Sequence, residues 1–301
     1  MKVTRKDFLK TGALLSGGLF FGSNKMFSNL QTQTYIFKEL RNNIGIFTER
    51  GGTIGWHATN DGVVVIDAQY PETAKNLIAA LQQKTSHKID VLFNTHHHGD
   101  HTSGNIFLKD YAGKIVAHEN CKMLQEKNDK KDPAKPQAYA TLTFKETWGA
   151  QIGNEKVTAK YFGPAHTSGD SVIHFEDADI AHVGDLVFNQ TFPFIDSNGG
   201  GSIKLWYETL GKIINHYSKD TLFIFGHAIS ESLLTGSIAD IVNMRSYLGA
   251  LAEHVESEIQ KGKSKEEIAA AEIPGFANLK ERWQGARKMN LEKAYDELVK
   301  K

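Results

Sequence analysis

The chain has 301 residues, 40% of them hydrophobic, enough for a sizeable core and suited to one large domain or one domain with an extension. Lys plus Arg and Asp plus Glu both number 35, so the formal net charge is zero, which argues against a nucleic-acid partner or a charged, solvated tail. The single cysteine, Cys121, excludes an intramolecular disulfide framework and a multi-cysteine zinc site, leaving any metal to histidine and carboxylate.

Residues 4–10 read TRKDFLK and precede the weakly apolar run TGALLSGGLFFG. A charged stretch followed by a short apolar one has the form of an export signal, assigned here to residues 1–28. It resembles a twin-arginine signal with Lys6 in place of the second arginine, and an amphipathic helix is the alternative. The expected location is periplasmic or otherwise exported. The run is too short and too rich in Gly and Ser to form a stable membrane span.

From about residue 34 the pattern is strand-rich: YIFKEL, NIGIFT, TIGWHAT and GVVVID are short strands separated by Gly, Asn and Asp turns. PETAKNLIAALQQK has helical spacing with Pro71 at its start, and IDVLFNT follows as a buried strand. Strand, helix, strand implies a crossover unit and a sheet covered by helices. A helix is expected to begin near Ser103, followed by the strand KIVAHE and the helix NCKMLQEK, in which Cys121 reads as a small buried residue. The polar stretch 127–138 reads as a loop. VTAKYFG, SVIHFE and DIAHVGD are strands, SIKLWYETLGKIINHY an amphipathic helix, and TLFIFGH a buried strand. Beyond residue 236 the pattern is helical, with Ser264 and Glu267 at the spacing of a capping box. Those C-terminal helices could cap a site, pair two copies in a homodimer, or cover the sheets.

The densest chemistry is NTHHHGDH, residues 94–101. On an extended backbone His96 and His98 face one way and His97 the other, so His97 is set aside. Gly99 permits a turn after which Asp100 and His101 can reach a second metal. Three more metal-competent residues end apolar runs: His166 after KYFGPA, Asp185 after DIAHVG and His227 after LFIFG. Functional groups of open α/β sheets collect at such strand ends.

H-x-H-x-D-H, a later His in G-x-x-H-T-x-G-D, then G-D and G-H resemble the metallo-β-lactamase superfamily over about residues 34–230. The resemblance implies an α/β (α+β) four-layer αββα sandwich over residues 29–235, with a helical extension over 236–301 packed on it. It further implies that His96, His98 and His166 hold one metal, that Asp100, His101 and His227 hold another, and that Asp185 bridges them. Asp67, ending GVVVID, would brace a metal-bound histidine. Two zinc ions are expected, with Fe or Mn tolerated by the same donors. Two divalent ions against two carboxylates and one hydroxide leave a net positive charge, which draws anionic groups and stabilises an oxyanion.

The expected activity is that of a dinuclear zinc hydrolase in which metal-bound hydroxide attacks the carbonyl of a small ester, lactone, thioester or lactam. Asp100 would orient the nucleophile and pass on a proton. Three alternatives are carried: class B-like β-lactamase activity, a mononuclear iron sulfur dioxygenase, and a non-catalytic metal-binding protein. Many zinc β-lactamases have Cys where this chain has Asp185, and Lys where it has Phe188. Both departures argue against a dedicated β-lactamase, whereas a bridging Asp resembles the glyoxalase-type and lactonase sites. In the loop QTFPFIDSNGGG, either Phe192 or Phe194 could form an apolar substrate wall.

Overall fold

The computed structural model describes residues 35–299. The expected export signal, residues 1–28, lies outside them. Seven strands build the first sheet in chain order: β1 (Ile36–Arg41), β2 (Ile44–Thr48), β3 (Ile54–Ala58), β4 (Val63–Ile66), β5 (Ile89–Asn94), β6 (Ala112–His118) and β7 (Leu142–Phe144). The first four pair antiparallel as a meander, and β4 to β7 pair parallel. The helix α1 (Pro71–Leu81) makes the first of the crossovers that parallel pairing requires.

The second sheet contains β8 (Thr147–Ile152), β9 (Glu155–Tyr161), β10 (Ser171–Phe175) and β11 (Ile180–His182). Two later strands, β13 (Leu222–Ile224) and β15 (Thr235–Gly236), complete it in the order β15-β13-β11-β10-β9-β8. Short strands β12 (Phe188–Asn189) and β14 (His227–Ala228) pair parallel beside it.

The layering follows from side-chain alternation. All four residues of β4 are buried, as expected of a strand covered on both faces. Val63 and Val65 join a core on the helix side, whereas Val64 and Ile66 join a core between the sheets. In β10, Val172 faces the outer helices and Ile173 the other sheet. Three separate apolar cores therefore lie between four layers: helices, sheet, sheet, helices. This is the expected αββα sandwich.

On the first sheet lie α1, α2 (Gly99–Thr102), α3 (Asn105–Leu108) and α4 (Glu119–Asn128). The second carries α5 (Ile203–His216), α6 (Ile238–Gln260), α7 (Lys265–Ala269) and α8 (Ala286–Val299). The α6 residues Ile241, Tyr247, Leu248 and Leu251 share a core with Trp206 and Leu210 of α5 and Leu291 of α8. Among the described residues no helix is long and apolar enough to cross a membrane.

Several local expectations change. The helix expected near Ser103 is two short ones, α2 and α3, and Gly99 opens the first of them without a left-handed backbone. The strands β7 and β8 were not legible, because TLTFKETWGAQI has mostly exposed or half-exposed positions and little apolar alternation. The capping box at α7 is present: Ser264 N donates to Glu267 Oε2 at 2.8 Å and Glu267 N to Ser264 Oγ at 3.2 Å.

Phe175 is fully buried between the sheets. Phe175→Ala should cost about 3–5 kcal/mol of unfolding free energy, whereas Ser264→Ala at the cap should cost only ~1 kcal/mol, both read by urea denaturation.

Candidate metal centre

Four strand ends on one rim of the sandwich supply the chemistry. The loop after β5 carries His96, His98, Asp100 and His101; the loop after β9 carries His166; the loop after β11 carries Asp185; and His227 begins β14, just beyond β13. β9, β11 and β13 run in the same direction, so their C-terminal ends share this rim.

The seven residues fall into two groups. His96, His98, His166 and Asp185 form one, and Asp100, His101 and His227 the other, with the donor atoms of each group within 4.8 Å of one another. In the first, His98 Nδ1 lies 3.1 Å from His96 Nε2 and 3.0 Å from His166 Nε2. The three rings stand nearly perpendicular, at 81–84°. In the second, His227 Nε2 is 3.0 Å from Asp100 Oδ2 and 3.4 Å from His101 Nε2. Asp185 touches both groups: Oδ1 is 3.2 Å from His101 Nε2, and Oδ2 is 3.5 Å from His227 Nε2, 3.6 Å from His166 Nε2 and 3.7 Å from His96 Nε2.

The electrostatics fit a cation. Burial and the neighbouring imidazoles hold His96 well below the usual histidine range. Burial, with His98, pulls His166 down to about 3. Both are thus neutral, the form of histidine that binds a metal. His101 is the opposite case. Burial would lower it, but Asp185, Asp100 and Asp67 together outweigh burial and hold it well above its usual value. For Asp185, the nearby His227, His101 and His96 overcome burial and hold the carboxyl well below its usual value. Its buried Oδ1 faces His101 Nε2 at 3.2 Å but makes no well-aligned hydrogen bond, leaving acceptor capacity that a bound cation would fill. The donor set therefore fits two metal ions.

Supporting residues fix these donors. Asp67 follows β4 with a left-handed backbone, φ 67°, and its carboxylate accepts from Thr95 N and Thr95 Oγ1 at 2.8 Å each. Asp67 Oδ2 also lies 2.8 Å from His101 Nδ1, fixing the ring with Nε2 toward the site. The expected brace thus acts on His101. Asp196, which sequence reasoning missed, plays the same part for His98: its Oδ2 lies 3.0 Å from His98 Nε2, leaving Nδ1 for the site. Gly199 N donates to Asp196 Oδ1 at 2.9 Å and holds that carboxylate in place. Nothing in the sequence spacing ties Asp196 to the histidine run.

His97 belongs to neither group, yet it is not remote. It is buried, its ring centroid is 4.5 Å from that of His98, and its Nε2 is 3.5 Å from Asp196 Oδ2. Strand alternation does not explain this, because β5 ends at Asn94 and the histidines lie in the irregular turn beyond it. Two glycines are required by close approach: a Cβ at Gly226 would lie 2.0 Å from Asp185 Oδ1, and one at Gly52 would lie 2.1 Å from His101 Cε1.

A cavity of about 660 Å³ opens over both groups, lined by His98 and Asp185 of the first and by Asp100 and His227 of the second. Phe188 and Phe194 line it, whereas Phe192 is buried against Tyr247. Cys121 is buried and its thiol is pushed well up by that burial, so it is no nucleophile. Thr167 N and Oγ1 donate to Asp170 at 2.7 and 2.9 Å, so Asp170 ties down the turn that carries His166.

The model of the metallo-beta-lactamase superfamily matches residues 48–227. A Bacillus cereus protein called metallo-beta-lactamase type 2 is 24% identical, over 65% of this chain and 78% of its own. A hydroxyacylglutathione hydrolase of Hyphomonas neptunium is 32% identical, over 54% of this chain and 56% of its own. The fold resembles a metallo-beta-lactamase from Pontibacter korlensis, with a TM-score of 0.59, 18% identity, and coverage of 71% of this chain and 99% of that one. A double mutant of a sec-alkyl sulfatase gives a TM-score of 0.68 at 16% identity, over 87% of this chain and 50% of that one.

Asp196→Asn should weaken metal binding by about 10–100-fold in chelator competition while leaving the fold intact, as loss of a histidine-orienting carboxylate does at other metal sites.

Proposed function

The chain belongs to the metallo-beta-lactamase superfamily and is a hydrolase of it, and from that premise we propose that it binds two zinc ions and cleaves a small ester, lactone, thioester or lactam. The observation that carries this reading is the pair of donor groups meeting at Asp185. His96, His98 and His166 would hold one ion, Asp100, His101 and His227 the other, and Asp185 would reach both. When bound, such ions supply Lewis acidity, polarising a carbonyl and lowering the pKa of water from ~15.7 to about 7.

The protein's own residues do the rest. Asp100 sits at the cavity floor with its carboxylate toward His227, and the imidazoles of His101 and His227 hold it well below its usual value. It is therefore ionised and in place to take a proton from an attacking water and pass that proton to the leaving group. Phe188 and Phe194 exclude water from one side and pack on the substrate's apolar part. Asp67 and Asp196 keep His101 and His98 from rotating away.

The relatives' names divide between β-lactam and hydroxyacylglutathione hydrolysis. An aspartate at 185 and Phe188 three residues on favour acyl substrates other than β-lactams. From residues 4–22 we also infer export, which amino-terminal sequencing of protein recovered from the periplasmic fraction would test: the full cytoplasmic chain alone would contradict it.

Three outcomes are expected. Protein purified without added metal should carry two zinc ions per chain by elemental analysis and turn over part of an ester, lactone, thioester and β-lactam panel. One iron per chain would instead favour a sulfur dioxygenase, and metal without turnover a binding protein. His98→Ala and Asp185→Ala should each lose metal and turnover together; full turnover in either contradicts the reading. Stripping the metal with chelator should lower the unfolding free energy, by ~2.7 kcal/mol for each ion relative to protein held at a hundred times the dissociation constant.

A further inference from the structure

Part of the cavity wall comes from the segment between α7 and α8, well beyond the residues that match the family. Arg282 and Trp283 line the cavity there. The backbone around them is pinned on both sides. On one side, Thr191 Oγ1 donates to Lys280 O at 2.7 Å, Phe192 N donates to the same carbonyl at 3.4 Å, and Thr191 pairs with Lys280 as a parallel bridge. On the other, the Glu281 carboxylate accepts from Gly285 N at 2.9 Å and Arg287 N at 3.0 Å, where α8 begins. Trp283 is half-buried against the core beneath α6 and stands edge-on to Phe194, centroids 6.4 Å apart. Phe194 in turn stands edge-on to His98 at 5.6 Å.

Arg282 is the one Lys or Arg among the residues lining this cavity. Its guanidinium has no hydrogen bond or ion pair with any described residue, in contrast to Arg50 near the mouth, which lies over the Tyr70 ring at 4.4 Å and pairs with Glu72 at 3.3 Å. The cavity's carboxylates are engaged elsewhere, Asp100 and Asp185 by the histidines. A fixed backbone thus presents an uncommitted cation to a cavity whose wall also carries the aromatic rings of Trp283, Phe194 and Phe188. A guanidinium fork matches a carboxylate with two parallel hydrogen bonds, and aromatic walls favour an apolar body beside it.

We propose that this C-terminal segment sets substrate specificity, with Arg282 binding the carboxylate of a small anionic acyl substrate whose apolar body packs on Trp283, Phe194 and Phe188. The inference rests on the hydrolase reading for the word substrate alone, and its test needs no turnover.

Metal-loaded protein is titrated calorimetrically with 4-phenylbutyrate and with its uncharged amide. Wild type should prefer the carboxylate about tenfold or more, the size expected of a hydrogen-bonded charge pair. Arg282→Gln should abolish that preference while metal content and melting temperature stay unchanged; Arg282→Lys should retain part of it. A preference that survives intact in Arg282→Gln would assign the anion to the metal centre and overturn the proposal, as would equal binding of acid and amide to wild type. Arg282 is exposed and makes no hydrogen bond or ion pair with a described residue, so the variants test binding rather than folding. If Arg282→Gln behaves as expected but no acyl substrate is turned over, the hydrolase reading falls while the anion subsite stands.

Discussion

Everything at the rim depends on one electrostatic fact: a buried carboxylate, Asp185, stands among four imidazoles with one oxygen lacking a well-aligned hydrogen bond. The site-facing ring nitrogens of His96 and His166 both lie about 3 Å from Nδ1 of His98, whose other nitrogen is turned to Asp196, an arrangement that hydrogen bonds alone do not satisfy. Cations resolve both problems at once. The carboxylates that hold a proton on His101 would hold a metal in its place, and the burial that keeps His96 and His166 neutral keeps their lone pairs free.

The sandwich exists to hold that arrangement still. Two sheets packed face to face bring the ends of β5, β9, β11 and β13 to one rim, so residues far apart in the chain become neighbours. Glycines at 52 and 226 let His101 and Asp185 approach backbone that any side chain would block. Asp67 adopts a left-handed backbone, a conformation costing roughly 1–3 kcal/mol, and its hydrogen bonds to Thr95 and His101 account for its retention. The strain and the brace are one feature: Asp67 N donates to Phe93 O at 2.7 Å as β4 leaves the sheet, and this redirects the side chain under the histidine loop.

The fold class was legible through the family resemblance, which the dense histidine motif and the later His and Asp at the ends of apolar runs carry in their order along the chain. What was not legible rests on distant convergence. Asp196 reaches His98 across the sandwich rim, and Arg282 and Trp283 arrive from a segment whose sequence looks like an ordinary helix connection. His97 was separated from its neighbours by an alternation argument that applies only within a strand, and the strand stops before it. Phe194 rather than Phe192 faces the cavity because the main chain at 191–192 is tied to Lys280, which buries Phe192 under α6. No periodicity encodes such choices.

The most direct test of the two-cation account is anomalous diffraction at the zinc edge from crystals of the metal-loaded protein. The account predicts two peaks in each molecule, one enclosed by His96, His98 and His166 and one by Asp100, His101 and His227, each about 2.0–2.3 Å from its donor atoms and both within bonding reach of Asp185. A single peak, or two peaks with Asp185 bound to neither, would contradict it.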